Sequence, residues 1–177
     1  MIKEHIFLIG FMGAGKSTIA ACLKKMTGAE VIEMDQEIER QEGMAITQIF
    51  AEKGEPFFRS LETALLASME NRPGSIVSCG GGVAMREENV ALMKKSGRTV
   101  LLTASPETIY LRVKDSKNRP VLNGNMNVEY IQALMEKRRP YYEKAADFLV
   151  ATDDKTAEEI CQEILGLLGE KQVDGIS

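Results

Sequence analysis

Residues 6–17 read Ile-Phe-Leu-Ile-Gly-Phe-Met-Gly-Ala-Gly-Lys-Ser. Four apolar residues lead into a glycine-rich turn that closes on a lysine and a hydroxyl. The run 6–9 has the composition of a strand buried on both faces of a parallel sheet. The segment 10–17 fits GxxxxGK[ST], in which glycines let successive backbone N–H groups turn inward around phosphate oxygens. A helix expected over 17–27, with Ile19, Leu23 and Met26 on one face, adds its positive N-terminal end. Gly13, Ala14, Gly15, Lys16, Ser17 and Thr18 are therefore the expected triphosphate-binding residues. Lys16 would reach the β- and γ-phosphates, and the Ser17 hydroxyl would bind Mg²⁺. The alternative, a chance glycine-rich turn, lacks the flanking strand and helix that this loop has.

Outward from the loop, strands are expected at 30–34, 75–79, 98–103 and 148–151. Helices are expected at 35–41, 45–52, 56–68, 86–95, 128–142 and 156–168, with Pro106 in the first turn of another. Strands alternating with helices predict an α/β fold, a three-layer αβα arrangement around a five-stranded parallel sheet with ligands at the carboxyl ends of its strands. One domain is expected over 1–171, with 172–177 a flexible tail. The polar stretch at about 114–126 is too long for an idle connection and is a candidate mobile lid.

The composition sets limits. A net charge of −4 argues against general nucleic-acid binding, which needs a basic face. No run of about 18 apolar residues is present to span a membrane. His5 is the lone histidine, which argues against a histidine-based triad, and Cys22, Cys79 and Cys161 show no metal-type spacing. Such scattered cysteines read as buried thiols in a reducing compartment. A cytoplasmic monomer is the simplest expectation.

Several side chains are candidates for an acceptor site. Glu33 and Asp35, two residues apart at the end of the second strand, would share a face. Function there competes with the plainer readings of Asp35 as a helix N-cap and Glu33 as a solvated strand end. Gly80, Gly81 and Gly82 follow the third strand and allow a ligand close approach, though a flexible turn has the same composition. Arg59, Arg138 and Arg139 read alone as solvated or ion-paired helix residues. Arg119, inside the candidate lid, has the placement of an arginine that closes over transferring phosphate.

Together these residues resemble the shikimate kinases. The matching segments are Gly-Phe-Met-Gly-Ala-Gly-Lys-Ser-Thr at 10–18, Gly-Met-Ala-Ile-Thr-Gln-Ile-Phe at 43–50, and Phe58-Arg59 with Glu62. Cys-Gly-Gly-Gly-Val at 79–83, Arg-Pro-Val-Leu at 119–122 and Met-Glu-Lys-Arg-Arg-Pro-Tyr-Tyr at 135–142 follow in order. The resemblance implies a nucleoside monophosphate kinase-like fold with a helical substrate-binding region near 34–62. It also implies ATP-dependent phosphorylation of the 3-hydroxyl of shikimate in aromatic amino-acid synthesis. In that family's terms Arg59 and Arg138 would hold the carboxylate, and Asp35 would orient the attacking oxygen. Gly80, Gly81 and Gly82 would line the substrate site. Lys16 and Arg119 would stabilise the phosphoryl in transit, and Arg112 would pack on adenine. Mg²⁺ would lie at Ser17 and Glu33, where the family usually has Asp-x-Asp and this chain has Glu33-Met34-Asp35. The competing readings are another small-metabolite P-loop kinase, such as a gluconate-type enzyme, and a nucleotide-binding module whose chemistry has decayed.

Overall fold

Every residue of β1, His5–Ile9, is buried, as an apolar run must be when both faces of its sheet are covered. The computed structural model describes residues 2–114 and 127–169. Among these, β1 is the central strand of a five-stranded sheet with order β2-β3-β1-β4-β5. The other strands are β2 (Glu30–Glu33), β3 (Ser75–Ser78), β4 (Gly97–Thr103) and β5 (Phe148–Ala151), and all pairings are parallel. The chain leaves β1 for the β2 edge, returns to β3, and then crosses β1 to reach β4. That reversal puts a topological switch at the carboxyl end of β1, where open α/β sheets bind ligands.

Helix α1 (Lys16–Thr27) follows β1 directly and ends at Gly28, whose left-handed backbone (φ 74°) lets its N–H bond the Lys24 carbonyl. Helices α2 (Met34–Glu42), α3 (Ile46–Lys53) and α4 (Glu55–Ser68) form the excursion between β2 and β3. Helix α5 (Glu87–Ser96) joins β3 to β4, and α6 (Pro106–Val113) follows β4. Helix α8 (Ala157–Leu168) packs on α1 and starts with a capping box between Thr156 and Glu159. Helix α7 spans Val128–Ala145, three residues past its expected end and straight through Pro140. The proline removes one N–H bond. Burial of Tyr142 and Ala145 beyond it explains why the helix continues.

The other boundaries move by at most one residue, and one shift changes an argument. Strand β2 ends at Glu33, and Asp35 lies in the first turn of α2. The shared strand face expected for Glu33 and Asp35 is therefore not what relates them. Nor is Asp35 an N-cap: that position is Glu33, without a side-chain capping bond. Of the expected lid only Lys114 is described; the rest, with Arg119, and the tail at 172–177 lie outside the described residues.

His5 is accounted for structurally. Its Nδ1 accepts from the Ser75 amide at 3.1 Å, so Nε2 carries the proton and donates to the Met69 carbonyl at 2.7 Å. Cys79 and Cys161 are buried as expected, whereas Cys22 is only half-buried. No described helix is long and apolar enough to cross a membrane.

Candidate active site

The loop between β1 and α1 is shaped by Gly13 (φ 79°) and Gly15 (φ 100°), in backbone regions that disfavour other residues. Ala14 closes the turn by donating its N–H to the Phe11 carbonyl at 3.0 Å. No acidic residue occupies the first turn of α1, so its N-terminal partial charge is unopposed locally. Lys16 curls back over the loop, its Nζ donating to the carbonyls of Gly10 at 2.5 Å and Phe11 at 3.1 Å. Ser17 and Thr18 are exposed on the first turn of α1. Arg112 reaches the loop from α6: its Nη1 donates to the Gly13 carbonyl at 2.9 Å and to Thr152 Oγ1 at 3.3 Å.

Ser17 Oγ donates to Glu33 Oε2 at 3.1 Å, so the loop hydroxyl and the carboxylate at the end of β2 are adjacent. Both are oxygen donors. A hard divalent cation that keeps most of its waters needs no more from the protein. Among the described residues no cluster of three or more His, Cys, Asp or Glu could hold a metal.

Beside the loop opens a cavity of about 360 Å³, bordered by Met12 of the loop, Asp35 and Glu39 of α2, and Arg59 and Glu62 of α4. Gly80, Gly81, Gly82 and Arg138 complete its polar wall, while Ile46, Phe50 and Phe58 supply an apolar side. Asp35, Arg59, the glycine triplet and Arg138, far apart in sequence, thus face one space.

Side chains at the glycines would crowd close neighbours. A Cβ on Gly82 would meet Arg59 Nη1 at 2.5 Å, and one on Gly80 would meet Glu62 Oε2 at 2.9 Å and Asp35 Oδ1 at 3.3 Å. The arginine is fixed from both ends of its fork. Nη1 donates to Glu62 Oε1 at 2.8 Å, and Nη2 and Nε donate to Glu55 Oε1 at 3.1 and 3.3 Å. Its guanidinium also lies over the Phe58 ring, 5.4 Å from the centroid. Behind it, Arg86 Nη1 donates to the Arg59 carbonyl and to Thr63 Oγ1, and Thr63 donates to the buried Asn89. Asn89 in turn donates to the Val83 carbonyl just past the triplet. This chain of bonds ties α4 to the glycine segment.

Burial raises the carboxyl of Asp35 above its ordinary value, against the pull of Lys16 and with Glu39 and Glu33 adding to the rise. Burial likewise pushes Glu62 up to about 7, opposed by the charge and hydrogen bond of Arg59. Glu62 is fully buried, and its Oε2 has no hydrogen-bond partner among the described residues. Arg59 itself is raised: burial works against its charge, but the Glu62 and Glu55 carboxylates outweigh that.

Glu62, Glu55, Phe11, Tyr142 and the Arg86–Thr63–Asn89 chain were not picked out as site residues by sequence reading. The signal for Glu62 and Tyr142 was helical spacing, three residues after Arg59 and four after Arg138. The long-range ties had none.

This arrangement can place a triphosphate at the head of α1 and a small, hydroxyl-bearing anion beside it. The sequence model of the shikimate kinases matches residues 12–168. The chain belongs to the shikimate kinase family. A shikimate kinase of Dehalococcoides mccartyi is 39% identical over 163 residues, covering 92% of each chain. One from Persephonella marina is 40% identical, covering 92% of this chain and 98% of its own. The structure of shikimate kinase from Acinetobacter baumannii in complex with shikimate superposes with a TM-score of 0.87 at 33% identity, covering 93% of this chain and 92% of that one. A gluconokinase from Sinorhizobium meliloti reaches a TM-score of 0.56 at 18% identity, which is likeness of fold alone. The protein is an ATP-dependent small-molecule kinase that transfers a phosphoryl group to the 3-hydroxyl of shikimate, giving shikimate 3-phosphate and ADP. The gluconate-type and decayed-module readings give way to this one.

Proposed function

We propose that catalysis is divided between the two halves of the site. Arg59 and Arg138 hold the shikimate carboxylate, Asp35 binds and orients the 3-hydroxyl, and the loop with Lys16 holds the phosphates. The observation that supports this reading is the single cavity onto which Asp35, Arg59 and Arg138 all open beside the loop residue Met12. Planar guanidinium groups match a carboxylate fork, and two of them suit a monoanionic acid. Glu62 and Glu55 hold the fork of Arg59 in place before substrate arrives, so less freedom is lost on binding.

In the reaction the 3-oxygen of shikimate forms a bond to the γ-phosphorus as the bond from that phosphorus to the β,γ-bridging oxygen breaks. ADP leaves, and the hydroxyl proton passes to the Asp35 carboxylate. Phosphoryl transfer asks mainly for alignment and charge stabilisation, which Lys16 supplies from the loop and Arg119 supplies from the lid. Arg112, anchored on the Gly13 carbonyl, packs on the adenine. Ser17 and Glu33 are the residues that would hold Mg²⁺, whose chemistry is to neutralise charge on the β- and γ-phosphates. Gly80, Gly81 and Gly82 line the acceptor face, where side chains would crowd Glu62 and Asp35, Arg138, and Arg59 in turn. The helical segment 34–62 is the substrate-binding region of one domain over 1–171. The working form is a cytoplasmic monomer that binds neither nucleic acid nor membrane.

A coupled assay of ADP release tests the division. Arg59→Ala should weaken use of shikimate and leave ATP binding nearly unchanged. Collapse of ATP binding with unchanged shikimate affinity would contradict it.

A further inference from the structure

Two side chains of α7 meet at one backbone oxygen. Tyr142 Oη donates to the Gly81 carbonyl at 2.6 Å, and Arg138 Nη1 donates to the same oxygen at 3.4 Å. They are four residues apart, one turn along the same helix face. The tyrosine bond is short and the arginine bond is at the limit of a hydrogen bond. Tyr142 is 5% exposed and does not border the acceptor cavity, whereas Arg138 and Gly81 both do. The Arg138 guanidinium also lies over the Phe11 ring at 5.7 Å and would be 3.3 Å from a Cβ on Gly81. Burial raises the phenol, opposed by the charge of Arg138 and by a hydrogen bond between the two side chains, and the phenol stays a neutral donor at working pH.

A carbonyl has two lone pairs, and a half-buried one without a good donor is costly. With Tyr142 in place, the Gly81 carbonyl has its strong partner, and the direct bond from Arg138 to that oxygen stays long. Without the hydroxyl, Arg138 would be that oxygen's one remaining side-chain donor among the described residues. The guanidinium would then be drawn to the carbonyl by a charge-assisted bond. We propose that Tyr142 is a positioning residue for the acceptor: by holding the Gly81 carbonyl it leaves the Arg138 guanidinium available to the substrate carboxylate. The inference rests on the assignment of Arg138 to that carboxylate. It predicts an effect on acceptor affinity, with the phosphoryl-transfer step untouched.

The test is a double-mutant cycle read by calorimetric titration of shikimate into the wild type, Tyr142→Phe, Arg138→Ala and the double variant. Tm and steady-state kinetics are measured on each. Phenylalanine keeps the buried ring, so Tm should change little. Tyr142→Phe is expected to weaken shikimate binding about tenfold, with kcat and the KM for ATP within about twofold of wild type. In the Arg138→Ala background the same change should have no further effect. Wild-type affinity in Tyr142→Phe would overturn the proposal, as would an equal loss in both backgrounds, which marks a merely structural role. A collapse of Tm would assign the hydroxyl to stability and overturn it too. Arg138→Ala binding shikimate as well as wild type would instead remove the carboxylate assignment itself.

Discussion

Ser17 Oγ and Glu33 Oε2 are 3.1 Å apart, which joins the first turn of α1 to the end of β2 through side chains alone. Glutamate carries one more methylene than aspartate, and at that length its carboxylate meets the loop hydroxyl. If the pair holds Mg²⁺, its geometry depends on that reach. Glu33→Ala should raise the Mg²⁺ concentration for half-maximal rate by about tenfold, the scale of losing a residue that supports a metal. Glu33→Asp should shift the same profile. An unchanged Mg²⁺ dependence in both variants would separate Glu33 from the metal.

Asp35 borders the acceptor cavity, and desolvation of its carboxyl there raises it above its ordinary value. A raised value makes it a better proton acceptor. Asp35→Asn should lower kcat by about 10²- to 10⁴-fold, the usual contribution of a positioned general base, while shikimate still binds. Measuring kcat beside the dissociation constant separates the two effects. Because Asp35 must be ionised to accept the proton, the wild-type rate should rise with pH on the acid side, above the range of an ordinary carboxylate.

Glu62 predicts a pH dependence of stability. Its carboxyl is near 4.5 when unfolded and about 7 in the fold. The native state therefore holds a proton that the unfolded chain has released between those values. The stability tied to that proton is complete below about pH 4.5 and is lost as pH rises to about 7. Relative to Glu62→Gln, which does not titrate, the wild type should lose up to roughly 3 kcal/mol across that window and level off above it. Urea unfolding of both proteins at a series of pH values reads the difference. A gap that moved in favour of the wild type as pH rose would show that its ion pair with Arg59 outweighs the burial.

Gly82 offers a test of Arg59 that leaves the arginine in the chain. A Cβ there would meet the guanidinium at 2.5 Å, so Gly82→Ala should displace it from the cavity wall. The expected phenotype copies Arg59→Ala: kcat/KM for shikimate lower by about 10- to 100-fold, the range for lost hydrogen bonds to a charged group, and KM for ATP within about twofold. Kinetics that match wild type would mean the guanidinium has room to shift without leaving the acceptor.

The sheet was legible in the sequence because local signals coincide there. The run 6–9 flows into glycines whose φ values only glycine adopts readily, and a helix must follow. Helix α7 was misjudged at Pro140 because the packing of Tyr142 and Ala145 is tertiary and leaves no trace in local propensity. The cavity residues Asp35, Arg59, Gly80–Gly82 and Arg138 were proposed for the acceptor through family motifs; by spacing alone the arginines read as solvated. The backbone explains why Asp35 was misplaced: Met34 already belongs to α2, so the strand-face argument had no strand to act on. What the sequence could not show were ties across long separations. Arg86 to Arg59, Thr63 to Asn89 and Tyr142 to Gly81 are partners only after the chain has folded.

The central claim is that two arginines select the acceptor by its carboxylate. It is tested most directly by ADP formation with shikimate against its uncharged carboxamide, in the wild type, Arg59→Ala and Arg138→Ala. The wild type should prefer the acid by about 100-fold in kcat/KM, from charged hydrogen bonds that the amide cannot match, and each variant should lose most of this preference. Equal turnover of acid and amide by the wild type, or a preference that survives both substitutions, would contradict it.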